Sequence, residues 1–156
     1  MKIINYFLQF AIIATLFCLF KILGLKLSST LGGKLFEMIG PLFRSKKLIH
    51  SNLKKAFPDI NLDSLNKITN LMWNNYGRVF AEYMFIKRFR SDISNRNIVI
   101  EGQEILDDIK TNNKSVVFIS GHLSNFELMA MHIEKSGIKL AAIYRPLNNI
   151  FLNKIM

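Results

Sequence analysis

Eighteen consecutive residues without a charge, Ile3 to Phe20, open this chain, and a run of that kind leaves few structural options. As a helix it would extend about 27 Å at about 1.5 Å per residue, close to the hydrocarbon thickness of a bilayer. Asn5, Gln9 and Thr15 dilute the run without forbidding insertion. A cleaved signal peptide is the main rival, with Lys2 as its basic end. The sequence after the run, "KILGLK" from Lys21 to Lys26, offers no small-x-small cleavage site. The expectation is an uncleaved anchor or a helix buried deep in the interface, and hydropathy leaves spanning and interfacial placements open.

Charge agrees with a membrane setting. The chain carries 21 Lys and Arg against 11 Asp and Glu, a net +10, so an anionic partner is expected: nucleic acid, an anionic bilayer surface or a phosphorylated substrate. Lys21, Lys26, Lys34, Arg44, Lys46 and Lys47 all follow the apolar run. The positive-inside rule therefore puts the rest of the chain on the cytoplasmic face, where the same charges meet anionic lipid. Nucleic acid is disfavoured, because the aromatic residues fall at helix-core spacing or in the anchor and form no basic stacking surface. The single cysteine, Cys18, sits in the apolar run, which excludes an intramolecular disulfide and a thiolate metal cluster.

Along the chain, three regions are expected: a membrane anchor over 1–27, a helical membrane-proximal region over 28–90, and an α/β domain over 91–156. "SSTLGGKLFEMIGPLF" reads as a short amphipathic helix near the membrane, and "KKLIHSNLKKAFPDI" as a basic helix stopped by Pro58. Leu65, Ile68, Met72, Tyr76, Val79, Phe80 and Tyr83 recur at helical spacing, which predicts a long helix from about Leu62 to Lys87 with Asp63 as its cap. After it the pattern changes. "NIVIEG", "SVVFIS" and "KLAAIY" read as strands, separated by helices over "QEILDDIKTNN" and the segment ending near Gly137, with a further helix starting in "RPLNNIFLNKIM". Strand, helix, strand, helix, strand predicts α/β: an N-terminal membrane helix, then helices, then the start of a mostly parallel sheet covered by helices. Three short strands make a thin sheet, so the expectation is the first half of a larger fold.

The segment that carries chemistry is "FISGHLSNFE", residues 118 to 127. Ser124 and Glu127 fit a capping box, with serine at the N-cap and glutamate three residues on, which would leave His122 a loop residue. The alternative is catalytic. His122 follows the expected buried strand at its C-terminal edge, where open α/β sheets place their sites. A histidine there can accept a proton from a hydroxyl, and a carboxylate on the next turn can orient the ring and stabilise imidazolium. Such a pair, without a serine or cysteine nucleophile, suits direct attack by a substrate hydroxyl on an activated acyl group. Spacing alone leaves both readings open.

"GHLSNFE", followed about twenty residues later by "YRPLNN", resembles the lipid A biosynthesis acyltransferases, the lauroyl and myristoyl transferases of lipopolysaccharide assembly, within the wider lysophospholipid acyltransferase-like superfamily. "NLKKAFP", "NYGRVFAEY" and the apolar N-terminus resemble the same family's layout, over roughly its N-terminal half, which implies completion by a second chain or a remnant. The resemblance implies a bacterial inner-membrane enzyme with His122 as general base and Glu127 as its charge partner. It implies acyl carrier protein as donor, a hydroxyl of an anionic glycolipid (a lipid A precursor) as acceptor, and membrane lipid as surroundings. No metal or other cofactor is implied. Tyr144, Arg145, Asn148 and Asn149 would bind substrate, with Arg145 on phosphate or anionic sugar. Against this, Arg145 also fits a surface salt bridge, and Asn148 and Asn149 fit a helix cap. Glu82 stands where the family often has glutamate, and His132 reads as structural. A lysophospholipid or other glycolipid acceptor, and an inactive lipid- or partner-binding chain, are the alternatives.

Overall fold

The structure is a computed structural model that describes residues 2–91, 97–143 and 145–154. Its elements, in order, are α1 (Lys2–Leu23), α2 (Leu25–Phe43), α3 (Lys46–Ala56), α4 (Leu62–Glu82), a 3-10 turn (Tyr83–Phe85), α5 (Ile86–Ser91), α6 (Gln103–Thr111), α7 (Glu127–Lys135) and a second 3-10 turn (Leu152–Lys154). Two compact units result, one of Ile13–Met84 and one of Met1–Ile12 with Phe85–Met156, so that α1 contributes to both.

The first unit is built on the α2–α4 pair. Ser29, Gly32, Gly33 and Gly40 of α2 are buried, and so are Trp73, Gly77 and Ala81 of α4. The glycines, with Ser29 and Ala81, let the two helix backbones approach closely. A Cβ at Gly32 would lie 2.5 Å from the Gly77 carbonyl oxygen and 2.9 Å from Ala81 Cβ, and the Trp73 ring fills the space in front of Gly40. Polar side chains then tie the pair together. Ser29 Oγ donates to Glu82 Oε1 at 2.8 Å and accepts from Arg78 Nη1 at 3.2 Å. Arg78 Nε donates to Asn74 Oδ1 at 2.6 Å, and Asn74 Nδ2 to Glu37 Oε1 at 2.8 Å. The second half of α1 packs through Phe17 and Phe20, both 4% exposed, onto Phe80, Ala81 and Met84. Phe80 is the hub, with ring centroids 5.0 Å from Phe17 and 5.4 Å from Phe36.

Local sequence sets the breaks between these helices. Gly24 has φ +78°, a conformation most side chains avoid, and it separates α1 from α2. Ser28 Oγ then reaches back to donate to the Phe20 carbonyl at 2.6 Å. Ser45 caps α3 by accepting from Leu48 N, and the residue before Pro58 is disfavoured from helix, so α3 stops at Ala56. The cap of α4 is Asn61, whose Oδ1 accepts from Ser64 N at 2.8 Å. Asp63, the expected cap, instead sits in the first turn, where a carboxylate favours the helix dipole. The expected helix to Lys87 divides at Tyr83–Phe85 into α4, a 3-10 turn and α5.

In the other unit, α5 and α7 are joined by an ion pair, Arg90 Nη2 to Glu134 Oε2 at 2.6 Å. Phe89, Ile109, Ile133 and Leu152 are its buried apolar side chains. Here the sequence expectation fails. No strand occurs among the described residues, so this is a helical fold and not an α/β fold with a parallel sheet. The segments expected as strands, "NIVIEG", "SVVFIS" and the described part of "KLAAIY", are irregular. Val99, Val117, Ile119 and Ile143 are 87%, 87%, 91% and 107% exposed, so the described residues give them no covered apolar sheet face to join. An apolar β-branched run becomes a strand only when a neighbour pairs its N–H and C=O groups, and sequence pattern does not supply that neighbour.

Candidate active site

His122 and Glu127 lie in the unit without the α2–α4 pair, on the approach to α7. Leu123 N donates to Gly121 O at 2.8 Å, a three-residue turn that puts His122 at its apex. The histidine is exposed, and its ring rests on Phe126 with centroids 4.4 Å apart and planes tilted by 52°. Phe126 immediately precedes Glu127, the first residue of α7. The motif thus presents an accessible imidazole braced by the ring of Phe126, which adjoins Glu127 in sequence.

The register of α7 bears on the competing reading. A capping box needs Ser124 at the N-cap and Glu127 at the third helical position. The observed N-cap is Phe126, without a side-chain capping hydrogen bond, and Glu127 is the first helical residue. Ser124 stands two residues outside the helix with φ +47°. Left-handed backbone costs a non-glycine residue about 1–2 kcal/mol. Asn125 adds a second unfavourable feature, since its amide nitrogen and oxygen are both buried without a hydrogen-bond partner. An unsatisfied buried group costs about 1–3 kcal/mol. Two such costs in adjacent residues between His122 and Glu127 fit the tendency of strain to concentrate at functional sites. Nothing in the sequence marked Asn125 beyond its place in the motif.

The remaining expected residues separate. Tyr144 lies outside the described residues. Arg145 and Asn148 are exposed on the segment that follows it. Asn149 is only 6% exposed, and its amide is used within the protein. Its Nδ2 donates to Tyr6 O at 2.9 Å and Gln9 Oε1 at 3.2 Å, and its Oδ1 accepts from Phe151 N and Leu152 N. Phe151 meets the rings of Phe7 and Phe10, each at 5.9 Å. Asn149 therefore fastens this segment to the start of α1. His132 Nε2 pairs with Gln103 Oε1 at 2.7 Å, a link between α6 and α7 consistent with a structural role. Glu82 is occupied by Ser29 in the other unit.

Beyond Glu127, Leu128, Met129 and Ile133 of α7 line a mainly apolar, open pocket of about 550 Å³, lined elsewhere by Ile98, Ile105 and Phe118. Among the described residues no group of three or more potential ligands could hold a metal ion.

A helical chain whose N-terminal helix is long and apolar enough to cross a membrane, with an exposed histidine in a His-x4-Glu motif and an apolar pocket lined in part by α7, has the parts expected of a membrane-associated acyl-transfer protein. The family model described as bacterial lipid A biosynthesis acyltransferase matches residues 1–156, and the chain belongs to that family. No curated protein and no solved structure gives a significant match to it.

Proposed function

We infer that this chain transfers a fatty acyl group from acyl carrier protein to a hydroxyl of a lipid A precursor at the cytoplasmic face of the bacterial inner membrane. His122 acts as the general base. It accepts the proton of the acceptor hydroxyl as that oxygen attacks the thioester carbonyl, giving a tetrahedral intermediate. Collapse breaks the carbon–sulfur bond, and the imidazolium returns its proton to the departing thiolate, leaving ester and free thiol. Glu127 holds the ring and offsets the positive charge that develops on it. Arg145, with Tyr144 and Asn148, contacts phosphate or anionic sugar of the acceptor, while Asn149 holds their segment in place. The apolar pocket lined in part by α7 suits an acyl chain.

The observation that carries this reading is the exposed His122 imidazole, set at the apex of a turn five residues before Glu127, the first residue of α7. Family membership supports the reaction class. The test is acyl transfer from labelled acyl carrier protein to a lipid A precursor, in membranes containing this chain. We expect transfer with the wild-type chain and loss of at least a hundredfold in His122→Ala, within the usual contribution of a general base. Membrane association and melting temperature should stay unchanged. Transfer that persists in His122→Ala would remove the histidine from the mechanism.

A further inference from the structure

One helix face in the α2–α4 unit is exposed among the described residues. Helix α2 turns Ser28, Ser29, Gly32, Gly33 and Gly40 inward. On its opposite side, Leu27, Leu31, Met38 and Leu42 are 58%, 47%, 78% and 84% exposed. With half-buried Leu35 these positions follow the spacing i, i+4, i+8, i+11, i+15, one stripe along a helix of 19 residues, about 28 Å long. Soluble surfaces rarely display a continuous apolar stripe of this length. Across the Gly24 break the stripe is continued in sequence by Leu19, Ile22 and Leu23 of α1, which are also exposed.

Charge decides what covers it. From Lys21 to Lys55 the chain holds eight basic residues (Lys21, Lys26, Lys34, Arg44, Lys46, Lys47, Lys54, Lys55) and one acidic residue, Glu37. Glu37 is turned to Asn74 of α4. Lys26 and Lys34 are exposed on the same helix as the stripe. A second copy of this chain seated on the stripe would bring like charges together around it, because a two-fold interface opposes a patch to itself. An anionic bilayer accepts both parts: apolar side chains enter the acyl boundary while the lysine stems lie along the surface and their ammonium groups reach lipid phosphates.

We propose that α2 is a second membrane contact, lying in the plane of an anionic bilayer with Leu27, Leu31, Met38 and Leu42 inserted and α4 held on the side away from lipid. The chain is then tethered by α1 and seated by α2, so the α2–α4 unit has one fixed face toward the membrane. This seating neither requires nor follows from acyl transfer.

The test uses the full chain with Cys18→Ser, carrying one spin label at a time. Met38→Cys and Leu42→Cys probe the stripe, Lys67→Cys the outer side of α4, and Ile12→Cys the anchor. The labels are read in phosphatidylcholine vesicles with and without phosphatidylglycerol. With the anionic lipid, labels at 38 and 42 should be accessible to oxygen and shielded from a water-soluble nickel complex, at a depth of about 5–10 Å. Position 67 should stay open to nickel. Removing phosphatidylglycerol should raise nickel access at 38 and 42 while leaving 12 unchanged. Nickel access at 38 and 42 equal to that at 67 would overturn the proposal, even with an inserted label at 12 and intact transfer activity. Shielding from both reagents with dipolar broadening would overturn it in favour of contact between copies.

Discussion

Replacing Gly32 with alanine sets two known effects against each other on one helix. Helix propensity favours alanine over glycine by about 1 kcal/mol. Against it, the new Cβ would lie 2.5 Å from the Gly77 carbonyl oxygen and 2.9 Å from Ala81 Cβ. Ordinary contact begins near 3.4 Å, so α2 and α4 would have to separate by about 1 Å. The neighbours are backbone and a β-carbon, which cannot swing aside. Overpacking of a tight contact typically costs about 1–3 kcal/mol, and the separation also stretches the Ser29–Glu82 hydrogen bond. The clash therefore offsets or outweighs propensity, with a net loss of up to about 2 kcal/mol, or up to roughly 8 °C in melting temperature for a chain of this size. Circular dichroism melts of the purified full chain in detergent measure it. Thr30→Ala, on an exposed position of the same helix, should shift little. Because Gly77 faces the same gap, Gly32→Ala with Gly77→Ala should cost less than the sum of the two. A Gly32→Ala chain that melts above wild type would show that the helices are not in close contact there.

Two further outcomes follow from the site unit. Glu127→Gln keeps the side chain's shape and its capacity to cap but removes its charge, so transfer should fall by at least tenfold with little change in melting temperature; near-wild-type transfer would return Glu127 to a structural role. The Asp108 carboxyl is held below its usual range, first by the hydrogen bond from Lys114, at 2.6 Å, and then by that from Asn112. A depressed folded-state pKa means stability present at neutral pH and lost as the pH falls through that value, so Lys114→Ala should move the Asp108 titration upward by NMR and flatten the acid limb of stability. An unchanged Asp108 titration would refute the pairing.

The helices were legible in the sequence to the extent that one face of each repeats. The apolar repeat from Leu65 to Tyr83 gave α4, and Pro58 gave the end of α3, but the buried side of α4 is Leu65, Thr69, Trp73, Gly77 and Ala81, while Ile68 and Tyr76 of the apolar repeat are exposed. What pairs α4 with α2 was not legible. Gly32, Gly33 and Gly40 carry no hydrophobic signal, since their contribution is the absence of a side chain where another backbone must approach. Asn61 and Asp63 are both acceptable caps by residue type, and only the position of the first helical turn selects between them. The strand assignments failed for the corresponding reason. Periodicity reports what a segment prefers, whereas a strand is a relation between two segments.

The motif shows the same division between residue type and register. His122, Glu127 and their spacing were readable, and so was the ambiguity between a capping box and a catalytic pair. Two residues of register separate those alternatives, because Ser124 is the N-cap of a helix starting at Asn125, whereas the N-cap of one starting at Glu127 is Phe126. The observed start leaves Ser124 in left-handed backbone and buries the Asn125 amide without a partner. A sequence free to optimise this turn for stability alone would place glycine at 124, where φ is positive, and an apolar side chain at 125. Serine and asparagine at those two positions cost stability within two or three residues of the exposed His122, the kind of local cost that strained functional turns carry.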